Sequence, residues 1–266
     1  MKKLCIYHGN CADGFGAAWV VREALGDDVE FHVGVYQQDP PDVTGRDVII
    51  VDFSYKYDVL VKMSYKANSI LILDHHKSAA DDLEKLPKVI ESTGYDGFHS
   101  ELSSLCASQN MPHIGVLFDM ERSGAMITWD FFHPDVWPPA LIRHIQDRDL
   151  WKFELDGTRE IQAALFSHPY DFKVWDALMH INPEFLRTDG VAIERKHHKD
   201  IAEFIKTAAL RMDIAGHDVP ALNAPYMWSS DAGHIMAQGE SFAACYWDTP
   251  DGRVFSLRSA ENGLDV

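Results

Sequence analysis

The chain has 266 residues, 46% apolar and 11% aromatic, with 24 Lys and Arg against 41 Asp and Glu for a net charge of −17. That length allows a sizeable core and two domains, and the acidic balance excludes a long non-specific nucleic-acid groove, because such a surface repels an extended polyanion. No run of about 18 apolar residues predicts a membrane span, and the N-terminal MKKLCIYHGN has too few apolar residues for a signal peptide.

The first 150 residues alternate strand-like and helix-like segments. An apolar run over 3–8 predicts a strand, and Phe15, Ala18, Trp19, Val21 and Leu25 at helical spacing predict a helix over 13–26 stopped by Gly26. Residues 29–36 alternate as a strand does. A second buried strand is expected over 47–54, a helix over 55–67, a strand over 69–76 and a short helix over 79–86. The polar stretch 96–112 reads as a long surface loop, 113–119 as a strand, and 123–132 as a helix with Ser123 as N-cap. This order predicts an α/β fold, a mostly parallel sheet with helices on both faces.

Helical patterns follow over 138–151, 159–168, 171–180 and 191–210, the last long enough to link two domains. Strand patterns return after 210, with TPDG (249–252) as a hairpin turn between the last two. The basic run RKHHK (195–199) lies in a helical pattern and reads as a solvated face. The scattered Trp and Met residues read as core. Cys5, Cys11, Cys106 and Cys245 form no CxxC pair, so a reducing cytoplasmic setting is expected.

The ends of the strands carry the chemistry. In a parallel α/β sheet, ligands bind beyond the carboxyl ends of the strands. The first strand ends at His8, followed by Cys11 and Asp13; the third leads into Asp52; the fourth runs LILDHHK into Asp74, His75, His76 and Lys77; the helix over 138–151 brings Asp147 and Asp149. Carboxylates gathered with imidazoles favour Mn²⁺, Zn²⁺ or Fe²⁺. Several carboxylates can hold two ions about 3.5–4 Å apart across a shared carboxylate. Without cations, such a gathering is repulsive.

The motif LDHHK (73–77) resembles the signature of the DHH phosphoesterase superfamily, which includes RecJ-type exonucleases, nanoRNases, cyclic-dinucleotide phosphodiesterases and family II inorganic pyrophosphatases. YHGNCADGFGAA (7–18), VDFS (51–54), ERSGAMITW (121–129) and QDRDLW (146–151) resemble its other motifs in the expected order. The resemblance implies two divalent metal ions, commonly Mn²⁺ with Mg²⁺, Zn²⁺, Fe²⁺ or Co²⁺ possible, at the edge of a five-stranded parallel sheet. It implies His8, Asp13, Asp52, His75 and Asp147 as ligands, with Asp149 the alternative to Asp147. Asp52 would bridge the ions, Asp74 would orient the imidazoles, and His76 would contact the scissile phosphate or support the site. Ser123 would join the substrate contacts. Cys11 stands where many members have Asp; as a ligand it would favour Zn²⁺ or Fe²⁺, and the alternative is that it does not bind.

The C-terminal VFSLRSAENGLDV (254–266) resembles part of the associated substrate-binding domain, in which Arg258 and Ser259 would hold a substrate phosphate. The expected organisation is a catalytic domain over 1–185, a linking helix over 186–210 and a partial substrate-binding domain over 211–266. The activity implied is hydrolysis of phosphodiester bonds in short oligonucleotides or small nucleotides by a water activated between two metals. The alternatives are an inorganic pyrophosphatase or polyphosphatase, and a non-catalytic nucleotide or phosphate sensor.

Overall fold

The computed structural model describes residues 3–109, 113–250, 252–260 and 262–266. The apolar strands predicted near the N-terminus form β1 (Lys3–His8), β2 (Val29–Gly34), β3 (Asp47–Val51), β4 (Ser69–Asp74) and β5 (Ile114–Phe118), all parallel, in the order β2-β1-β3-β4-β5. Successive side chains of a strand point to opposite faces. Register therefore sorts the core into two layers. Cys5, Ile49 and Leu71 lie side by side on one face, and Ile6, Ile50 and Ile72 on the other. All six are essentially inaccessible to water. Strands buried on both faces explain why 69–74 reads as an unbroken apolar run rather than an alternating one.

Helices cover both layers. The Cys5 face packs on α1 (Ala12–Leu25), and the Ile6 face packs on α2 (Tyr57–Ser64) and the short α3 (Ala80–Leu83). Next comes α4 (Gly94–Gln109), where a loop over 96–112 is expected from the sequence; the structure corrects this. Phe98, Leu102 and Cys106 are buried at a spacing of four residues, an apolar seam hidden among Ser, Gly and His. Asn110, Met111 and Pro112 of that stretch lie outside the described residues. Then follow α5 (Gly124–Phe132), α6 (Ala140–Asp149), α7 (Thr158–Leu165) and α8 (Phe172–His180). The Ser123 Oγ accepts the Met126 N–H, and Asp171 caps α8 in the same way.

The chain divides into two units, residues 1–191 and 192–266, and the long α9 (Pro183–Ala208) contains the division. The second unit holds a mixed four-stranded sheet of β6 (Leu210–Ile214), β7 (His217–Asn223), β8 (Ala243–Thr249) and β9 (Gly252–Arg258), together with α10 (Ser229–Met236). β8 and β9 pair as the expected hairpin, Thr249 opposite Gly252; Asp251 of the turn lies outside the described residues. In RKHHK, His198 pairs with Glu194 at 2.6 Å and Lys199 with Glu203 at 2.6 Å, each between successive turns of α9. The four cysteines are free. Among the described residues, no helix is long and apolar enough to cross a membrane.

The two-layer core carries the stability of the first unit. Ile72→Ala is expected to cost about 2–5 kcal/mol, read as a lower urea midpoint with an unchanged slope.

Candidate metal centre

The strand order reverses between β1 and β3, so the connections leaving these two strands diverge and open a crevice at their carboxyl ends. His8 closes β1 and Asp52 immediately follows β3. Asp52 is buried and left-handed, with φ +51. A non-glycine residue in that conformation stores strain, which the surroundings must hold. Here its N–H donates to Leu73 O at 2.9 Å, continuing the ladder to β4 one residue past the strand. The twist turns its carboxylate into the crevice.

Three imidazoles surround that carboxylate. His75 Nε2 lies 3.1 Å from Asp52 Oδ1, His76 Nδ1 lies 3.8 Å from the same oxygen, and His8 Nδ1 lies 3.4 Å from Asp52 Oδ2. His75 Nε2 is also 3.5 Å from Asp149 Oδ2 and 3.7 Å from Asp13 Oδ2. Two triads result, His8–Asp52–His76 and Asp13–His75–Asp149, each spaced to hold a cation. Asp52 belongs to the first and touches the second, its Oδ1 facing His75 and His76 and its Oδ2 facing His8.

The electrostatics are those of a site lacking positive charge. Burial opposes ionisation of Asp52, yet the hydrogen bond from His75 and the close approach of His8 and His76 win and hold it well below the carboxylate range. Burial, then the Asp52 charge, pushes both Asp13 and Asp149 upward. Burial works against the His75 cation, but the Asp52 hydrogen bond and the carboxylates around it push its pKa up to about 9. His8 Nδ1 and Asp52 Oδ2 are buried and make no hydrogen bond. Two unsatisfied donor atoms 3.4 Å apart are spaced as neighbouring ligands of one ion at about 2.1 Å each. The residues thus fit a divalent metal, by donor type, spacing and missing charge.

Each supporting group has a definite task. Asp74 is fully buried, and its Oδ1 accepts the N–H groups of His75 at 2.8 Å and His76 at 3.2 Å and the ring Nδ1–H of His76 at 2.8 Å. A carboxylate only accepts, so His76 carries its proton on Nδ1. The first two amides of α5 donate to Asp13, Gly124 at 2.6 Å and Ala125 at 3.0 Å. Gly124 also permits close approach: a Cβ there would sit 2.5 Å from the Asp52 Cβ. Tyr36, beyond β2, stands edge-on to His8 at 5.4 Å between ring centroids and packs on Phe53 at 4.8 Å.

The structure gathers His8, Asp13, Asp52 and His75 as the sequence leads one to expect, with Asp74 in its orienting place. Four expectations fare differently. Asp147 accepts from Glu154 N at 2.8 Å, Leu155 N at 3.1 Å and Thr158 Oγ1 at 2.6 Å, so it ties the turn after α6, and Asp149 enters the cluster instead. Cys11 precedes α1 and its sulfur joins neither triad; burial, then the Asp52 charge, pushes the thiol up and keeps its proton on. Ser123 is fully buried and caps α5, positioning Gly124 rather than facing a substrate. His76, expected to contact the scissile phosphate or support the site, joins a triad. Arg258 and Ser259 belong to the second unit, where Arg258 donates to Ser230 Oγ at 3.2 Å and Ser259 Oγ to Leu264 O. Tyr36 and Gly124 escape sequence reading, since neither carries a metal-ligating group; the small residue directly after the Ser123 cap is the one available signal.

Fold and site together define an α/β protein with a carboxylate–histidine cluster at the carboxyl edge of a five-stranded parallel sheet. No protein-family model matches the chain. The chain is similar to a protein of Acanthamoeba polyphaga mimivirus, described as "Uncharacterized protein R106", at 27% identity over 99% of the chain. It spans 62% of that relative's length.

Calorimetric titration with Mn²⁺ or Zn²⁺ separates the two aspartates of α6. Asp149→Asn is expected to weaken ion binding by roughly tenfold or more. Asp147→Asn is expected to leave it intact and to lower stability by about 1–3 kcal/mol, through its disrupted hydrogen bonds.

Proposed function

We propose that this chain is a divalent-metal-dependent phosphoesterase of the DHH type, hydrolysing phosphodiester bonds of short oligonucleotides or small nucleotides. The observation that carries the reading is the meeting of His8, Asp13, Asp52, His75, His76 and Asp149, from five separate segments, in two triads that share contact with one carboxylate. Two divalent ions, Mn²⁺ foremost, would acidify a water and neutralise charge on a phosphoryl group when bound there.

The residues divide by exposure. Asp13 and Asp52 are sealed, their side chains 1% exposed, whereas His8, His76 and Asp149 are 26–27% exposed. Substrate therefore approaches on the side of His8, His76 and Asp149. His76, with its ring held by Asp74, is the group placed to hold a proton or a phosphoryl oxygen on that side. The Asp13 and Asp52 carboxylates, fixed by helix amides and imidazoles, resist reorganisation as charge moves in the site. The net charge of −17 favours a short substrate over a long polyanion.

Hydrolysis of bis(4-nitrophenyl) phosphate with added Mn²⁺ tests the reading. Activity is expected to vanish with EDTA and to fall roughly a hundredfold or more in Asp52→Asn. No turnover with Mn²⁺, Mg²⁺, Zn²⁺, Fe²⁺ or Co²⁺ ends the proposal. Faster phosphate release from pyrophosphate than cleavage of a dinucleotide would move it to the pyrophosphatase class.

A further inference from the structure

Beside the cluster lies a cavity of about 560 Å³, bounded by α5, α6 and the loops that precede and follow α6. Met126 and Gln146 line its inner end. Gln146 Oε1 accepts the N–H of Ser123 at 3.2 Å, next to the Gly124 that abuts Asp52, so this end adjoins the metal centre. The outer end carries Trp137, with Arg143 and Lys152 on the walls.

Trp137 is 77% exposed, an unusual state for the largest apolar side chain. Its loop is stiff. Val136 O accepts from Trp129 Nε1 at 2.8 Å, Val136 N–H donates to His133 O at 3.0 Å, and Pro138 and Pro139 fix the next two φ angles. The indole is thus held out in water by a rigid mount, with the Arg143 guanidinium 5.4 Å from its ring centre. Arg143 Nε is buried and finds no hydrogen-bond acceptor among the described residues. A buried unpaired donor is costly unless a ligand satisfies it.

The lining also says what the ligand is not. Its carboxylates outnumber Arg143 and Lys152, which disfavours a second phosphate. A neutral, planar ligand with both hydrogen-bond donors and acceptors suits a wall of cations, carboxylates and the Gln146 amide beside an exposed indole. The volume lies in the range of small-molecule pockets. We propose that this groove receives a nucleobase, stacked on Trp137 and hydrogen-bonded by Arg143, belonging to the nucleoside adjoining the phosphate at the metal centre. The placement of that phosphate rests on the phosphoesterase reading; the base site itself does not.

The test is nucleoside binding to the whole chain in EDTA, followed by calorimetry and saturation-transfer NMR with adenosine, guanosine, cytidine and uridine. At least one nucleoside is expected to bind saturably. Trp137→Ala should weaken it about tenfold, the order expected for one stacking ring, Trp137→Phe should largely restore it, and Arg143→Gln should weaken it. Absence of saturable binding by all four, binding indifferent to Trp137→Ala, or displacement of the nucleoside by inorganic phosphate would each overturn the proposal. Nucleoside binding without metal-dependent hydrolysis removes the phosphoesterase reading and leaves the base site; hydrolysis without nucleoside binding does the reverse.

Discussion

A carboxylate excluded from water needs compensating charge, and Asp52 finds it in imidazoles on two sides. His75 meets one oxygen at 3.1 Å and His8 the other at 3.4 Å. An isolated buried anion would be prohibitive, so the surroundings of Asp52 are constrained together. β3 must end at Val51 so that the next residue can twist to φ +51, β4 must deliver two histidines in succession, and α5 must start on a glycine. The same constraint ties the fold to its chemistry. The crevice between β1 and β3 exists because the connections part there, and the residues that close it are those whose charges cannot be left alone.

The division of labour around the cluster follows from the same physics. Asp74 lies one layer deeper than the imidazoles and fixes the proton of His76 through a 2.8 Å hydrogen bond. Asp13 has two helix amides and still sits above its ordinary pKa, because burial and the neighbouring Asp52 outweigh them. A network so short of positive charge is spaced for cations, and its partly exposed rim of His8, His76 and Asp149 is where the proposed ions and phosphate ester would enter.

Much of this was legible in the sequence for physical reasons. Strands buried on both faces leave unbroken apolar runs, and a polar residue that ends such a run marks the sheet edge, so His8, Asp52 and the 74–76 block announced the site. Ser123 was readable as a helix start, but its hydroxyl was not readable as wholly occupied by that task. Asp147 and Asp149 are two residues apart on a helix and so face about 200° apart; nothing in QDRDLW says which side meets the sheet, and only the turn bound by Asp147 decides it. The α4 seam of Phe98, Leu102 and Cys106 was masked by polar and small neighbours that lower the local contrast of the pattern. Trp137 read as core because large apolar residues usually are, and its exposure depends on a proline-braced loop whose conformation composition does not encode.

The hydrogen bonds from Gly124 and Ala125 to Asp13 span 111 and 112 residues of chain, and Asp149 enters later still. During synthesis on the ribosome, a nascent chain that ends before Asp149 cannot complete the cluster. The acidic residues already made must wait with their charges exposed to water. Any ability to capture an ion would therefore arrive late, once more than half of the polypeptide has been translated, and a product terminated early would lack the complete cluster even where its sheet had formed.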